Sequence, residues 1–309
     1  MTGKHIGWIA LLAIGLVAPF VVYPVLVMKI LCFALFACAF NLLLGYTGLL
    51  SFGHAAFLGS AGYVCGYAMK ELGLTPELAI LAGTVVAAML GFVFGSLAIR
   101  RAGIYFAMIT LALAQLVFFL ALQFPFTGGE DGLQGVPRGK LFGLIDLSDT
   151  MNMYFFVLAI FVAGFWLIDR AIHSPFGQVL KAIRENEPRA VSLGYDVDRY
   201  KLLAFVLSAG LAGLAGATKA LVFQLASLTD VHWHMSGEVV LMTLLGGVGT
   251  VFGPIVGATV VVSLQNYGAE LGQWVTVLTG VIFVICVLAF RRGIVGELAA
   301  LIRRSGIRI

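Results

Sequence analysis

Long apolar runs, separated by short polar or glycine-rich breaks, follow one another along the whole chain. Most runs hold about 20 residues, which is the length that a helix needs to cross the hydrocarbon core of a bilayer. The pattern therefore predicts an all-α, polytopic membrane bundle in a single domain over residues 1–309, with about eight to ten transmembrane or partly spanning helices. The predicted segments are 6–27, 29–46, 51–69, 77–98, 103–123, 151–170, 200–222, 237–248, 251–267 and 273–290.

Two breaks interrupt this pattern at membrane depth. One covers residues 46–53 and the other residues 246–253, and the run 237–248 before the second break would reach only about 18 Å as a helix. Discontinuous helices expose backbone groups and helix ends that can bind a polar solute. We therefore predict a translocation path at both breaks. The residues assigned to it are Asn41, Thr47, Ser51, Gly53, His54, Gly246, Gly247 and Gly249.

Close helix packing is the alternative explanation for the glycines. Small residues four positions apart, such as Gly62 and Gly66 or Gly91 and Gly95, let two helix backbones approach each other. A single histidine such as His54 is more often a hydrogen-bonded interior residue than a ligand or a proton carrier. Both explanations stay open for the two breaks.

The basic residues favour a topology with both termini in the cytoplasm. With these segments, fourteen of the nineteen Lys and Arg residues lie inside and five lie outside, as expected for cytoplasmic connections. Splitting 237–267 into two pieces keeps Arg291 and Arg292 inside. The topology assigns residues 124–150 to an external loop, 171–199 to a cytoplasmic loop and 291–309 to a cytoplasmic tail.

The cytoplasmic loop predicts two short helices. Ser174 suits an N-cap with Pro175 at the first helical position, and Pro188 disfavours helix at the preceding residue, so the first helix should end near Asn186. The second helix should begin at Pro188 and stop at Gly194, a residue type that often follows a helix end.

This helix pair is amphipathic. Val179, Leu180 and Ile183 should form the apolar face, with Arg184 pointing elsewhere. Such a pair suits docking into a groove on a soluble partner, and the alternative is a helix lying on the membrane surface. The residues assigned to the docking surface are Val179, Leu180, Ile183, Arg184, Glu185, Glu187, Ala190, Leu193 and Gly194.

Composition excludes a soluble protein. Hydrophobic residues make up 61% of the chain and charged residues only 11%, with a mean hydropathy of +1.04, whereas soluble domains are about 25% charged. The N-terminal run lacks a cleavage site and is interpreted as a retained first span. The four cysteines lie in apolar runs without metal-ligand spacing. We expect them in the core, with no metal site and no nucleic-acid partner.

Several other classes of function are disfavoured. The chain has no G-x-x-x-x-G-K-[ST] motif for ATP, and its apolar runs hold few carboxylates of the kind that ion-coupled carriers bury. Ser51 and His54 lie three residues apart without a recognisable third group, so a hydrolase is not expected. A self-contained secondary carrier or channel remains the alternative from another class.

Five segments, in the same order, resemble one family over residues 41–290. They are NLLLGYTGLLSFGHAAFLGSAGY, GIYFAMITLALAQL, FTGGEDGLQGVP, SPFGQVLKAIRENEPRAVSLGYDVDRYKLLAF and LLGGVGTVFGPIVGA. Together they resemble the bacterial branched-chain amino-acid ABC permease family, and most closely its M-type subunit.

The resemblance implies a multi-pass subunit of an importer in the bacterial inner membrane. A paralogous permease would share the path, and two cytoplasmic ATPases would bind ATP and Mg, so that this chain itself binds no cofactor. A periplasmic binding protein would deliver leucine, isoleucine or valine. Residues 174–194 would hold the coupling helix, although Glu187-Pro188-Arg189-Ala190 departs from the generic Glu-Ala-Ala pattern. Related permeases carry urea or short amides, which leaves the substrate open.

Overall fold

The computed structural model describes residues 3–268, 274–289 and 293–297, and these form a bundle of helices. The predicted polytopic all-α fold is confirmed. The helices are α1 (Gly3–Val21), α2 (Pro24–Thr47), α3 (His54–Lys70), α4 (Pro76–Ala98), α5 (Ile104–Gln123), α6 (Thr150–His173), α7 (Pro175–Glu185), α8 (Glu187–Ser192), α9 (Val197–Phe223), α10 (Trp233–Gly246), α11 (Gly253–Tyr267) and α12 (Trp274–Ala289).

Five of these helices are long and apolar enough to cross a membrane, namely α2, α4, α5, α6 and α9. The helices on either side of the two breaks are the discontinuous elements, and of these α3, α10 and α11 are shorter than the five spans. α2 ends at Thr47 and α3 begins at His54, while α10 ends at Gly246 and α11 begins at Gly253. Both predicted interruptions are therefore confirmed as breaks in helical structure.

Helices α2 and α9 form the centre of the bundle. Their apolar windows are 83% and 78% buried, whereas that of α5 is only 28% buried and faces outward. α9 packs against α2, α3 and α4. A Cβ atom at Gly216 of α9 would overlap the Leu58 carbonyl of α3, and one at Gly213 would overlap Ala87 of α4. Close packing through small residues thus accounts for these glycines.

The first predicted segment, 6–27, needs correction. Helix α1 ends at Val21 and α2 already begins at Pro24. Proline has no backbone N–H to donate and its φ suits the first helical turn, so it favours a helix start at this point. The apolar residues around the junction do not reveal the chain turn between the two helices.

Short strands in the predicted external loop were not expected. β1 (Leu133–Gln134) pairs with β4 (Leu225–Ala226), and β2 (Lys140–Leu141) pairs with β3 (Ile145–Asp146), both antiparallel. The β1–β4 pair attaches the loop to the chain that follows α9. Most of the predicted tail, 291–309, lies outside the described residues.

Candidate functional site

The second break is attached to the last turns of α2 by one buried amide. Asn41, which is 2% exposed, donates from Nδ2 to the Thr250 carbonyl and accepts at Oδ1 from the Gly249 amide, both at 2.9 Å. The Tyr46 hydroxyl donates to the Gly249 carbonyl at 3.0 Å. Where a helix breaks at membrane depth, its backbone N–H and C=O groups lose their helical hydrogen bonds and have no water to replace them, so they need other hydrogen-bond partners. Side chains of α2 supply them here.

The second break is also sterically tight. A Cβ atom at Gly246 would overlap the Gly253 carbonyl, and one at Gly257 would overlap the Met242 carbonyl, so the backbones of α10 and α11 touch. Gly249 has a φ of +77°, which side-chain-bearing residues rarely adopt. Gly246 and Gly249 are required by the turn itself, and Gly257 by the contact between α10 and α11.

The first break is held by hydroxyl groups from other helices. The Phe52 amide donates to Thr110 Oγ1 of α5 at 3.1 Å, and the Ala55 amide donates to Ser236 Oγ of α10 at 2.9 Å. Thr110 and Ser236 are fully buried and were not among the predicted site residues. Hydroxyl residues inside apolar helices were the only sequence signal for them.

Buried His54 joins the start of α3 to α9 and α2. Its Nε2 lies 2.8 Å from Ser208 Oγ, and Ser208 donates its hydroxyl proton to the Ala39 carbonyl at 2.6 Å. Because that proton is already used, Nε2 must be the donor to Ser208. Edge contacts with Phe40 and Phe57 complete the environment. His54 is therefore a hydrogen-bonded interior residue in this conformation.

Ser51 and His54 do not form a nucleophile–base pair. Ser51 Oγ accepts from the Gly53 amide at 3.1 Å, and Thr47 donates to the Leu43 carbonyl at 2.5 Å. Among the described residues, no group of three or more His, Cys, Asp or Glu side chains is placed to hold a metal ion. Cys32, Cys38 and Cys65 are free and buried.

The predicted path residues lie at the two breaks, inside the chain. Gly249 is partly exposed and the other seven are buried. Their side chains and backbones hold the breaks in place through hydrogen bonds and close contacts. A role in lining a path stays a prediction. The residues placed in this way are Asn41, Thr47, Ser51, Gly53, His54, Gly246, Gly247 and Gly249.

Helices α7 and α8 form the predicted helical hairpin. Ser174 Oγ accepts from the Gly177 amide at 3.4 Å and caps α7, and Asn186 Oδ1 accepts from the Arg189 amide at 3.1 Å and caps α8. α8 ends at Ser192 with Leu193 as its C-cap, so Gly194 follows the helix end as predicted. Gly194 follows with a left-handed φ of +86°.

The apolar face of the hairpin points into the chain. Leu180 is 0% exposed, Ile183 2% and Ala190 1%, and Ile183 and Ala190 pack with Val197 at the start of α9. These three side chains cannot contact a partner in this conformation, contrary to the expectation for Leu180, Ile183 and Ala190. Ile183 and Ala190 are buried against α9, whereas Leu180 is buried in the main core of the bundle, and this burial accounts for the amphipathic pattern.

Other apolar side chains of the hairpin face outward. Val191 is 57% exposed and Leu193 is 68% exposed. A separate groove of about 530 Å³ on the hairpin is lined in part by Gln178, Ala182 and Tyr195. The hairpin is fastened to α9 by an ion pair between Lys201 and Glu187, with 2.6 Å between Nζ and Oε1.

Arg184 links the hairpin to both breaks. Its guanidinium donates to the Gly45 carbonyl, three residues before the first break begins at Gly48, and it borders Gly249 in the second. Lys181 Nζ lies 5.7 Å from the Tyr46 ring centroid. Arg184 was expected to point away, but its long side chain reaches inward from an exposed position. Hairpin, α2 and both breaks meet at this junction, which we call the Arg184 junction (Asn41, Gly45, Tyr46, Arg184 and Gly249).

Comparisons with known proteins agree with a membrane permease. Residues 25–290 match the family described as branched-chain amino acid transport system / permease component. This defines the class as a permease component of an ABC transport system. The chain belongs to that branched-chain amino acid permease family.

Individual relatives show the same class. The permease protein LivM of Salmonella typhimurium (strain LT2) and that of Escherichia coli (strain K12) are each 28% identical over 271 residues, which is 80% of this chain. The chain spans 64% of the length of these LivM proteins. The autoinducer 2 import system permease protein LsrC of Klebsiella pneumoniae is 29% identical over 167 residues, covering 50% of this chain and 46% of LsrC. No solved structure matches the chain.

Proposed function

We propose that this chain is one of two permease subunits of an ATP-driven importer for branched-chain amino acids in the bacterial inner membrane. The family and the LivM relatives, described as high-affinity branched-chain amino acid transport permeases, support the substrate class. The partners would be a paralogous permease, two cytoplasmic ATPases that hold ATP and Mg, and a periplasmic binding protein. The chain itself would bind no cofactor.

The proposed orientation follows the positive-inside rule. Both termini and residues 171–199 would be cytoplasmic, and residues 124–150 would be external. This places the α7–α8 hairpin where soluble ATPases can reach it. The β1–β4 end of the bundle would then face the binding protein.

The Arg184 junction is the observation that carries the proposed coupling mechanism. A carrier of this class needs a mechanical link between the ATPases and the path, because ATP is hydrolysed outside the membrane. The outward Val191 and Leu193 would dock on an ATPase. Movement of the hairpin would then pull on Gly45 through Arg184 and on the second break through Asn41.

A different solute is the alternative, because the LsrC relatives are named for autoinducer 2 import and related permeases carry urea or short amides. ATP-dependent uptake in proteoliposomes that contain the assembled importer separates these solutes. We expect tritiated leucine, isoleucine and valine to accumulate. Uptake of an unrelated solute without any of the three would contradict the proposed substrate class.

Docking is tested with a matched pair of exposed leucines. Leu193→Asp places a carboxylate in the proposed apolar contact, and we expect it to lose the ATPases in a detergent pull-down. Leu144→Asp is the control, because Leu144 is 87% exposed in the loop 124–150 at the other end. Undiminished ATPase recovery with Leu193→Asp would contradict docking at that position.

A further inference from the structure

A cluster of opposite charges lies at the end of the bundle away from the hairpin. Lys219, one turn before the end of α9, forms an ion pair with Asp230. Their side chains are only 15% and 10% exposed. Lys219 Nζ also lies 5.5 Å from the Phe33 ring centroid and 5.9 Å from that of Phe223. Buried charges within membrane helices are costly and commonly mark functional sites.

Two further charges belong to this cluster and are not paired. Lys29 and Glu238 are partly buried, and Lys29 lies on α2 one turn before Phe33, whose ring faces Lys219. Glu238 lies on α10, which packs against both α2 and α3. Among the residues that the structure describes, the side chains of Lys29 and Glu238 take part in no hydrogen bond or ion pair. The cluster therefore contains one unpaired cation, Lys29, and one unpaired anion, Glu238, that could bind a ligand.

A buried tyrosine hydroxyl without a partner is a second indication of a ligand site at this cluster. Tyr63 of α3 is 2% exposed and lies one turn after Gly59, where a Cβ atom would meet the backbone of Asp230 and Val231. Its hydroxyl has no hydrogen-bond partner in the described part of the chain. Buried polar groups in folded proteins nearly always have partners, so an unpaired one marks a position for a ligand or a water molecule.

We propose that Lys29, Tyr63, Lys219, Asp230 and Glu238 bind the zwitterionic head group of an α-amino acid. Lys29 would bind the carboxylate and Glu238 the ammonium group. The cluster is balanced in formal charge, with two cations and two anions, which favours a zwitterion over a simple anion or cation. This inference rests on the proposed function, since it assumes an amino acid arriving at this end of the bundle.

The test uses the assembled importer in proteoliposomes, with its binding protein and tritiated leucine. Lys29→Met and Glu238→Gln each remove one charge-assisted contact, and we expect the apparent KM for uptake to rise by about tenfold or more. Lys70→Met is the matched control. Lys70 lies at the same end of the bundle but donates to the Gln134 carbonyl at 3.0 Å and is exposed, so its KM should not change.

Two further variants distinguish a loss of substrate binding from a loss of correct folding. Tyr63→Phe removes only the unpartnered hydroxyl, so the protein should insert normally while the KM still rises. The double variant that combines Lys29→Glu with Glu238→Lys exchanges the two charges. It should recover part of the uptake that is lost when Lys29→Glu or Glu238→Lys is introduced alone.

The possible failures can be distinguished. If the wild-type importer takes up none of the branched-chain amino acids, the proposed function is wrong. If it takes up leucine and the KM is unchanged in Lys29→Met, Glu238→Gln and Tyr63→Phe, the head-group site is wrong. A raised KM explained entirely by weaker docking of the binding protein, measured directly, would also overturn the site.

Discussion

The two ends of the bundle differ in how many of their polar groups have hydrogen-bond or ion-pair partners. At the Arg184 junction, Asn41 uses both its donor and its acceptor, and the Tyr46 hydroxyl is paired. At the opposite end, the buried Lys219–Asp230 ion pair is accompanied by groups without partners among the described residues. These are the partly buried side chains of Lys29 and Glu238 and the Tyr63 hydroxyl. A fully paired network is rigid and can transmit movement, whereas unpaired groups can receive a ligand. Substitutions at the Arg184 junction should therefore lower the maximal rate of uptake. Substitutions in the charged cluster at the opposite end should raise the KM for uptake.

The largest effect is expected from Asn41→Leu. The variant leaves the Gly249 amide and the Thr250 carbonyl without partners, at a cost of about 1–3 kcal/mol for each group. We expect the maximal rate of leucine uptake to fall at least about tenfold, while ATP hydrolysis continues. Parallel measurement of both rates in proteoliposomes checks this. A raised KM with a normal maximal rate would remove the proposed difference between the two ends.

A pair of glycine variants compares the two breaks. A Cβ atom at Gly246 would overlap the Gly253 carbonyl, whereas the nearest atom to a Cβ at Gly53 is the Thr110 carbonyl at 3.3 Å. Gly246→Ala should therefore cost about 1–3 kcal/mol or more, and Gly53→Ala clearly less. Thermal unfolding of the purified subunits in the same detergent measures the difference. Equal loss of stability would mean that the second break relaxes more easily than its contacts indicate.

A smaller effect is expected from Arg184→Met. Methionine keeps much of the apolar stem and removes the hydrogen bond to the Gly45 carbonyl. We expect coupling to weaken by roughly 0.5–2 kcal/mol, seen as more ATP hydrolysed for each leucine imported. Lys181→Met is the control, because Lys181 makes only a distant contact with the Tyr46 ring. An unchanged ATP-to-leucine ratio in Arg184→Met would exclude Arg184 from the link.

Local sequence signals predicted the elements well. The glycines around residues 46–53 and 246–253 indicated both breaks, and Ser174 with Pro175 indicated the start of α7. These features depend on neighbouring residues, since capping and turn formation are local. The helix start at Pro24 was missed because the apolar pattern runs through it.

Contacts between distant segments could not be predicted in this way. The partner of Asn41 lies 208 residues away, and Thr110 and Ser236 serve a break formed by other helices. The orientation of the hairpin's apolar face could not be predicted either. An amphipathic pattern does not show whether that face packs against a partner or against the same chain. The structure places Ile183 against Ala190 and Val197.

The central claim is that the hairpin and the second break move together when the ATPases close. In the assembled importer, spin labels at positions 189 and 248 report on this link, and labels at positions 189 and 72 report on the two ends of the bundle. Arg189 and Leu72 are exposed and Val248 is partly exposed. On trapping with a non-hydrolysable ATP analogue, we predict that the 189–72 distance changes while the 189–248 distance is constant. A change in the 189–248 distance as large as that between 189 and 72 would contradict the account.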